Sequence, residues 1–327
     1  MKAIIVEESE GTLRWGDVPA PTMQAGQVRI RVHATAVNRA DLLQRIGKYP
    51  PPPGASEILG LEAAGVVDEV APDVEGVRPG DRVCVLLEGG GYAEQVVVDA
   101  SMVLPVPDAL SLEDAAAVPE AFYTAWTNLV PEGGLEAGQT VLVLAAASGI
   151  GTAAVQIARH LGARVVATTS AGKLDAVRAL GAHVALDRRA ADLNEQLRNA
   201  LEEGAHVIFD PVGGPDVARN LKLLRKRGTL VLIGLLGGFK AELPLGLVLT
   251  RRLRLQGSVL RSRSREEKVA LTRGLRRDCW GALADGTLHP VVDRVMPIAQ
   301  AQQAHDLLAS NTTTGKVVLR VADPDSP

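Results

Sequence analysis

AAASGIG, at Ala145 to Gly151, lies between the apolar run VLVL and the amphipathic stretch TAAVQIARHLGA. A strand, a tight turn of small residues and a helix together form a pyrophosphate-binding unit. The backbone must approach the phosphates, the helix must pack closely on the strand, and the first helical N–H groups then meet the anion. In the G-x-G-x-x-G register Ala146 stands for the first glycine, Ser148 for the second, and Gly151 keeps the third. Ala147, Ser148, Gly149, Ile150 and Gly151 are therefore expected along a dinucleotide, with the Ser148 hydroxyl available to a phosphate. A second strand, RVVATTS, gives the turn the context that a lone motif lacks.

The end of that second strand selects the dinucleotide. An NAD site carries Asp or Glu there for the ribose 2′-OH. This chain has Thr168-Thr169-Ser170-Ala171 and then Lys173. Small hydroxyls and a cation suit a 2′-phosphate, so NADPH is the expected cofactor, with Ser170 and Lys173 as contacts. Arg188, beside Arg189 after the strand HVALD, is either a second clamp on that phosphate or part of an exposed charged loop.

These groups need elements to position them. The first third of the chain consists of β-rich runs (KAIIV, QVRIRVHATAV, AAGVVDEV, DRVCVL, YAEQVVV) separated by Gly, Pro and Asp, which predicts an all-β module, a partly closed barrel. From Ser111, which with Asp114 forms a capping-box candidate, apolar strands alternate with amphipathic helices, the signature of βαβ units and a parallel sheet. The last strand, GKVVLRV, is expected to return to the first module, and the tail ADPDSP to be disordered.

Composition excludes several classes. Apolar residues make up 46% and charged residues 22% of 327, as in soluble globular proteins. No apolar stretch suffices for a bilayer and the start MKAIIVEESE lacks a signal-peptide core, so a cytoplasmic protein with no membrane partner is expected. Two cysteines, Cys84 and Cys279, exclude a disulfide framework or a Cys-rich metal site, and the six histidines form no HxxxH or HxH pair. A net charge of −3 with 3% aromatics gives no footprint for nucleic acid.

Two oxidoreductase families carry a turn like SGIG. The short-chain type needs Tyr-x-x-x-Lys, but four residues after Tyr49, Tyr92 and Tyr123 stand Pro53, Val96 and Thr127. By contrast VNRADLLQRIGKYPPPPGASEILGLEAAGVV, PGDRV, GGGYAEQVVV, AAAVPEAFYTAW, FDPVGG and GKVVL resemble the medium-chain dehydrogenase/reductase superfamily. Within it they are similar to the quinone oxidoreductase branch, and more narrowly to its p53-inducible type. The resemblance implies an α/β chain with a GroES-like β-rich catalytic domain at 1–122 and 261–327 and a Rossmann domain at 123–260. In the zinc-dependent relatives a Cys and the His of a GHE motif bind the metal. Here the Cys position falls in AVNRADL and the motif reads Gly60-Leu61-Glu62, so the resemblance implies an enzyme with no metal.

Without zinc, the natural acceptor is one that needs little polarisation. The implied function is zinc-independent NADPH-dependent quinone reduction. The alternatives are an NADPH-dependent enal or enone reductase and a non-enzymatic NADPH-binding protein with RNA contact. By resemblance, Asn38 points its amide at the acceptor oxygen, or else satisfies a turn. Asp41 caps the helix DLLQRIG or orients Arg39, and Tyr49 lies over the nicotinamide ribose or the acceptor. Thr124 packs on the nicotinamide, and Gly234 and Leu235 meet its carboxamide. Leu260 and Arg261 border the site, with Arg261 either an oxyanion stabiliser or a surface cation. Lys316 is a candidate for the cofactor phosphates. Glu62 and Glu120 receive no role. LQGSVL reads as a sheet edge that pairs with its mate in a homodimer.

Overall fold

The computed structural model describes residues 1–7 and 11–321, so the tail ADPDSP lies outside the described residues. The chain divides into one unit of Met1–Tyr123 with Arg261–Pro327 and a second of Thr124–Leu260. Tyr123, expected in the second domain, belongs to the first. Its hydroxyl donates to Thr272 Oγ1 at 2.7 Å, which ties it to the chain that returns after residue 260.

The first unit begins with β1 (Lys2–Glu7), β2 (Thr12–Asp17), β3 (Gln27–Ala36), α1 (Arg39–Arg45), β4 (Glu62–Val70), β5 (Arg82–Leu86), β6 (Gln95–Asp99), β7 (Leu104–Pro105) and α2 (Leu112–Ala116). Ser111 caps α2, accepting the Asp114 N–H at 3.0 Å. Helix α3 (Pro119–Leu129) carries the chain into the second unit. That unit holds β8 (Thr140–Val143), α4 (Gly149–His160), β9 (Arg164–Thr169), α5 (Leu174–Ala179), β10 (Val184–Asp187), α6 (Leu193–Ala200), β11 (Ala205–Asp210), α7 (Asp216–Lys222), β12 (Leu224–Leu232), α8 (Leu245–Arg251) and β13 (Arg254–Gly257). The first unit resumes with α9 (Arg265–Ala284), β14 (Val292–Pro297), α10 (Ala301–Ala309) and β15 (Lys316–Arg320).

In the second unit all six strands are parallel, in the order β10-β9-β8-β11-β12-β13. Continuous apolar runs suit strands covered on both faces, and Leu142, Val166, Leu197, Ile208, Leu221 and Leu230 are buried in one core. Strand order reverses on either side of β8, and ligands bind at the carboxyl ends of strands at such a switch point. This is the doubly wound α/β unit anticipated from the alternation of strand and helix.

In the first unit the sheet order is β14-β15-β3-β4-β5-β7, with β6 also on β3. Strand β15 runs antiparallel to β3, pairing Val318 with Ala36, so the C-terminal strand does return to the β module. This pairing brings Lys316, at the start of β15, to the end of β3 and the loop that leads into α1. Among the described residues no helix is long and apolar enough to cross a membrane.

Strands β3 and β4 approach closely at Gly65, where a Cβ would lie 2.0 Å from the Arg31 carbonyl oxygen. Because that neighbour is backbone inside a sheet, Gly65→Ala should destabilise the chain by about 1–3 kcal/mol or more, the range for overpacking. A denaturant midpoint unchanged from wild type would contradict this.

Candidate functional site

The AAASGIG turn has the geometry of a phosphate cradle. Ala145 adopts φ 51°, left-handed and rare for a residue with a Cβ. The turn is held by Ala146 N–H donating to Thr168 O at 3.0 Å and Ser148 N–H to Ala145 O at 2.9 Å. Ala147 is buried, while Ser148, Gly149 and Ile150 are partly open. Ser148 is the N-cap of α4, its Oγ accepting the Gly151 N–H at 3.1 Å. The hydroxyl hydrogen of Ser148 stays available for an anion, as do the amides of Gly149 and Ile150 in the first helical turn. Gly151 has no room for a side chain: a Cβ would meet Ala145 O at 2.4 Å. That closeness seats the start of α4 on β8.

The remaining cofactor candidates line the carboxyl ends of the same sheet. Register pairs Asp187 with Thr169, and Arg188 N–H donates to Thr169 O at 2.7 Å. Arg188 thus stands beside Ser170, the residue preceding the short turn that contains Lys173. Gly234 and Leu235 follow β12, in a loop tied to the one after β11 by Ile233 N–H to Asp210 O and Gly237 N–H to Val212 O. Asp210, which sequence reasoning passed over inside FDPVGG, shapes that loop: its buried carboxylate accepts the Val212 and Gly213 N–H groups at 2.8 Å. Thr124 is buried with its Oγ1 unpartnered, an unmet hydrogen bond that suits a bound polar group. Leu260 is buried.

In the first unit a charged cluster lies buried around the end of β3. Lys316 is 4% exposed and Glu62 fully buried. The Lys316 ammonium donates to Glu62 Oε1 at 2.7 Å, Asn38 Oδ1 at 2.5 Å and Val37 O at 3.3 Å. Asn38 donates from Nδ2 to Glu62 Oε1 at 2.8 Å and Ala36 O at 3.2 Å. Glu62 Oε2 accepts the Glu120 N–H at 2.9 Å. Asp41 accepts from Asn38 N–H at 2.7 Å, Gly60 N–H at 3.1 Å and Tyr92 OH at 3.3 Å, and the Tyr92 hydroxyl also meets His305 Nε2. Burial pushes the Asp41 carboxyl up to about 6, against the pull of those two backbone N–H bonds.

Two expectations change here. Lys316 does not reach out to phosphates, because its three N–H directions are taken by Glu62, Asn38 and a carbonyl. The Asn38 amide likewise has both hydrogens committed and is not free to donate to an acceptor oxygen. Asp41 takes the capping role, binding the N–H of the N-cap Asn38, while Arg39 bonds instead to Leu308 O and Asn311 Oδ1.

Arg261 is neither a surface cation nor a free oxyanion donor. It is 6% exposed and donates to Glu88 O at 2.7 Å, Tyr49 O at 3.2 Å and Gln44 Oε1 at 2.8 Å. Its guanidinium lies 5.3 Å from the Tyr49 ring centroid, within cation–π reach. Arg261 therefore fixes the Tyr49 loop. Lys268 steadies it in turn, bonding to Arg261 O at 2.6 Å and to the Glu88 carboxylate. Burial, and then the Glu120 charge, raise the Tyr49 phenol above its ordinary range, with Arg261 opposing.

Glu120 is the residue that sequence reasoning missed most completely. It sits in the first turn of α3 and is reached by solvent. Burial and the neighbouring Glu62 nevertheless push its carboxyl up to about 8. The one hint in the sequence was an acid directly before the FYTAW run. Among the described residues no group of three or more His, Cys, Asp or Glu is placed to hold a metal ion.

Comparison with known proteins agrees with this architecture. The alcohol dehydrogenase GroES-like domain family matches residues 24–108, and the zinc-binding dehydrogenase family residues 149–273. The chain is 32% identical to a quinone oxidoreductase of Sus scrofa, over 93% of this chain and 92% of the relative. It is 38% identical over 97% of its own length to the polyketide synthase GfsB of Streptomyces halstedii, but spans only 6% of that protein. Among solved structures it matches the quinone oxidoreductase from Thermus thermophilus, described with its NADPH complex, at TM-score 0.83 and 36% identity over 98% and 100% of the two chains. It matches the CurK enoyl reductase at TM-score 0.87 and 25% identity over 98% and 99% of the two chains.

The buried pair yields a stability prediction. Lys316→Met strands the Glu62 carboxylate, and removal of one partner of a buried pair costs about 3–5 kcal/mol. Glu62→Gln added to Lys316→Met should recover much of that loss in urea titrations. A single-variant cost below about 1 kcal/mol would show that the pair is not what holds this region.

Proposed function

The chain belongs to the medium-chain dehydrogenase/reductase superfamily, in its quinone oxidoreductase branch, and from that membership we propose that it is a zinc-independent, NADPH-dependent quinone reductase. The observation that carries this reading is the Lys316–Glu62–Asn38 cluster. In the zinc-dependent relatives this motif region supplies metal ligands. Here it is closed by a neutralised, hydrogen-bonded ion pair that exposes no strong electrophile. An acceptor with a low intrinsic barrier to hydride addition suits such a site, and a quinone is one.

The residues present fit NADPH. The amides of Gly149 and Ile150 and the Ser148 hydroxyl would hold the pyrophosphate, Ser170, Lys173 and Arg188 the 2′-phosphate, and Thr124, Gly234, Leu235 and Leu260 the nicotinamide end. When bound, the reduced nicotinamide supplies the hydride. The chain contributes binding, orientation and exclusion of water. Arg261 acts as a positioning residue that holds Tyr49 over the reacting groups. Asn38 and Lys316 keep the Glu62 carboxylate charged and in place.

An enone reductase is the second reading, favoured by the likeness to the CurK enoyl reductase. It shares the cofactor and differs in where the proton goes. The proposal also includes a homodimer. All four residues of the edge strand β13 are exposed, and Leu245, Leu249 and Phe239 nearby in the chain are 70%, 78% and 86% exposed. Sedimentation should give twice the chain mass, and Leu249→Lys should shift it toward one. A monomeric wild type would remove this part.

The cofactor assignment is tested by oxidation with 1,2-naphthoquinone as acceptor. A charge-assisted contact contributes about 1.5–3 kcal/mol, so kcat/KM should favour NADPH over NADH by about 10- to 100-fold. Lys173→Ala with Arg188→Ala should erase most of that preference and leave NADH turnover unchanged. Equal use of the two nucleotides by the wild type would contradict the 2′-phosphate site. Faster reduction of an enone than of any quinone would move the assignment to the second reading.

A further inference from the structure

We propose that the Glu120 carboxyl is a catalytic proton donor, handing a proton to the acceptor that has taken up hydride. The inference rests on the reductase reading above and names a group to which nothing else in the site gives a role.

The hydrogen-bond inventory singles out Glu120. Glu62 has both oxygens occupied, Oε1 by Lys316 and Asn38 and Oε2 by the Glu120 N–H. Asp41 also has both occupied, by Asn38 N–H, Gly60 N–H and Tyr92 OH. The cations are committed as well: Lys316 to Glu62, Asn38 and Val37 O, and Arg261 to Glu88 O, Tyr49 O and Gln44. Among the described residues the Glu120 carboxyl alone in this cluster bonds to nothing. Its backbone N–H is anchored on Glu62, so the side chain leaves a fixed point.

The surrounding charges decide its protonation. Glu62 and Asp41 disfavour a third carboxylate, while Lys316 and Arg261 offset them in part. Tyr49, the group proposed to lie over the reacting atoms, feels the Glu120 charge directly. With burial the largest influence, the carboxyl holds its proton up to about pH 8. A general acid works best with a pKa near the working pH. Partial solvent access lets water restore the proton after each turnover.

The step balances. Hydride and its electron pair pass from the reduced nicotinamide to the acceptor, which is thereby reduced, and the nicotinamide is oxidised. The Glu120 O–H bond breaks, with its electron pair left on the carboxylate. The proton forms an O–H bond on a hydroquinone oxygen, or a C–H bond on the α-carbon of a reduced enone. Glu120 then regains a proton from solvent.

Two readouts test this on the full chain. The first is infrared titration of the cofactor-free protein. A protonated-carboxyl band should fade as pH rises through about 8 and be absent from E120Q. The second is turnover of NADPH with 1,2-naphthoquinone. A general acid contributes about 100- to 10,000-fold, so E120Q should lower kcat by about 100-fold or more with NADPH affinity unchanged. Wild-type kcat should fall as pH rises past about 8, a limb missing in E120Q, and E120D should restore part of the rate. If the wild type turns over quinone and E120Q matches it within about twofold, with the same pH profile, the donor role is wrong and the reductase reading stands. A wild type that reduces neither quinone nor enone overturns both. Should E120Q fail to fold, the wild-type titration decides: a carboxyl already ionised at pH 7 overturns the proposal.

Discussion

One ammonium group sets the terms for the first unit. Lys316 enters a fully buried environment only because Glu62, Asn38 and a backbone carbonyl receive it there. Removing either charge leaves the other without water or partner, which is more costly than the pair itself is favourable. The pair therefore fixes the relation between β15, the start of α1 and β4. It also holds the Glu62 oxygen that anchors the start of α3 through Glu120 N–H. The return of the C-terminal strand to the β module is what delivers this lysine, so fold closure and site assembly are one event.

The second unit depends on closeness rather than charge. A strained Ala145, a side-chain-free Gly151 and the Ser148 cap bring the first turn of α4 against β8 with its amides facing outward. Smallness at 145–151 is the shared requirement, and it explains how alanine and serine serve where glycine is usual. Farther along the sheet edge, strand register alone places Arg188 next to Ser170.

This contrast explains what could be read from the sequence. The strand–turn–helix unit, the parallel sheet, the end of β9 and the returning strand are encoded locally, within about one element's length, and periodicity reports them. The cluster around Glu62 is not local. Its members lie 24 residues apart at Asn38–Glu62, 58 at Glu62–Glu120 and 254 at Glu62–Lys316. No spacing rule joins such positions, so Glu62 and Glu120 looked idle and Lys316 was assigned to phosphate. Arg261 was misread for a related reason: it opens a basic run, LRSRSR, that resembles a solvated surface, yet tertiary contacts with Glu88, Tyr49 and Gln44 bury it. Leu61, in the place of the GHE histidine, was the legible trace of the metal-free chemistry.

The account's central claim is that a protein ion pair takes the place of a metal in a working reductase. Zinc content of a preparation whose quinone turnover has been measured tests it most directly. The account predicts full turnover at a zinc-to-chain ratio near zero, unchanged when zinc is added back. Turnover that rises and falls in proportion to bound zinc would contradict it.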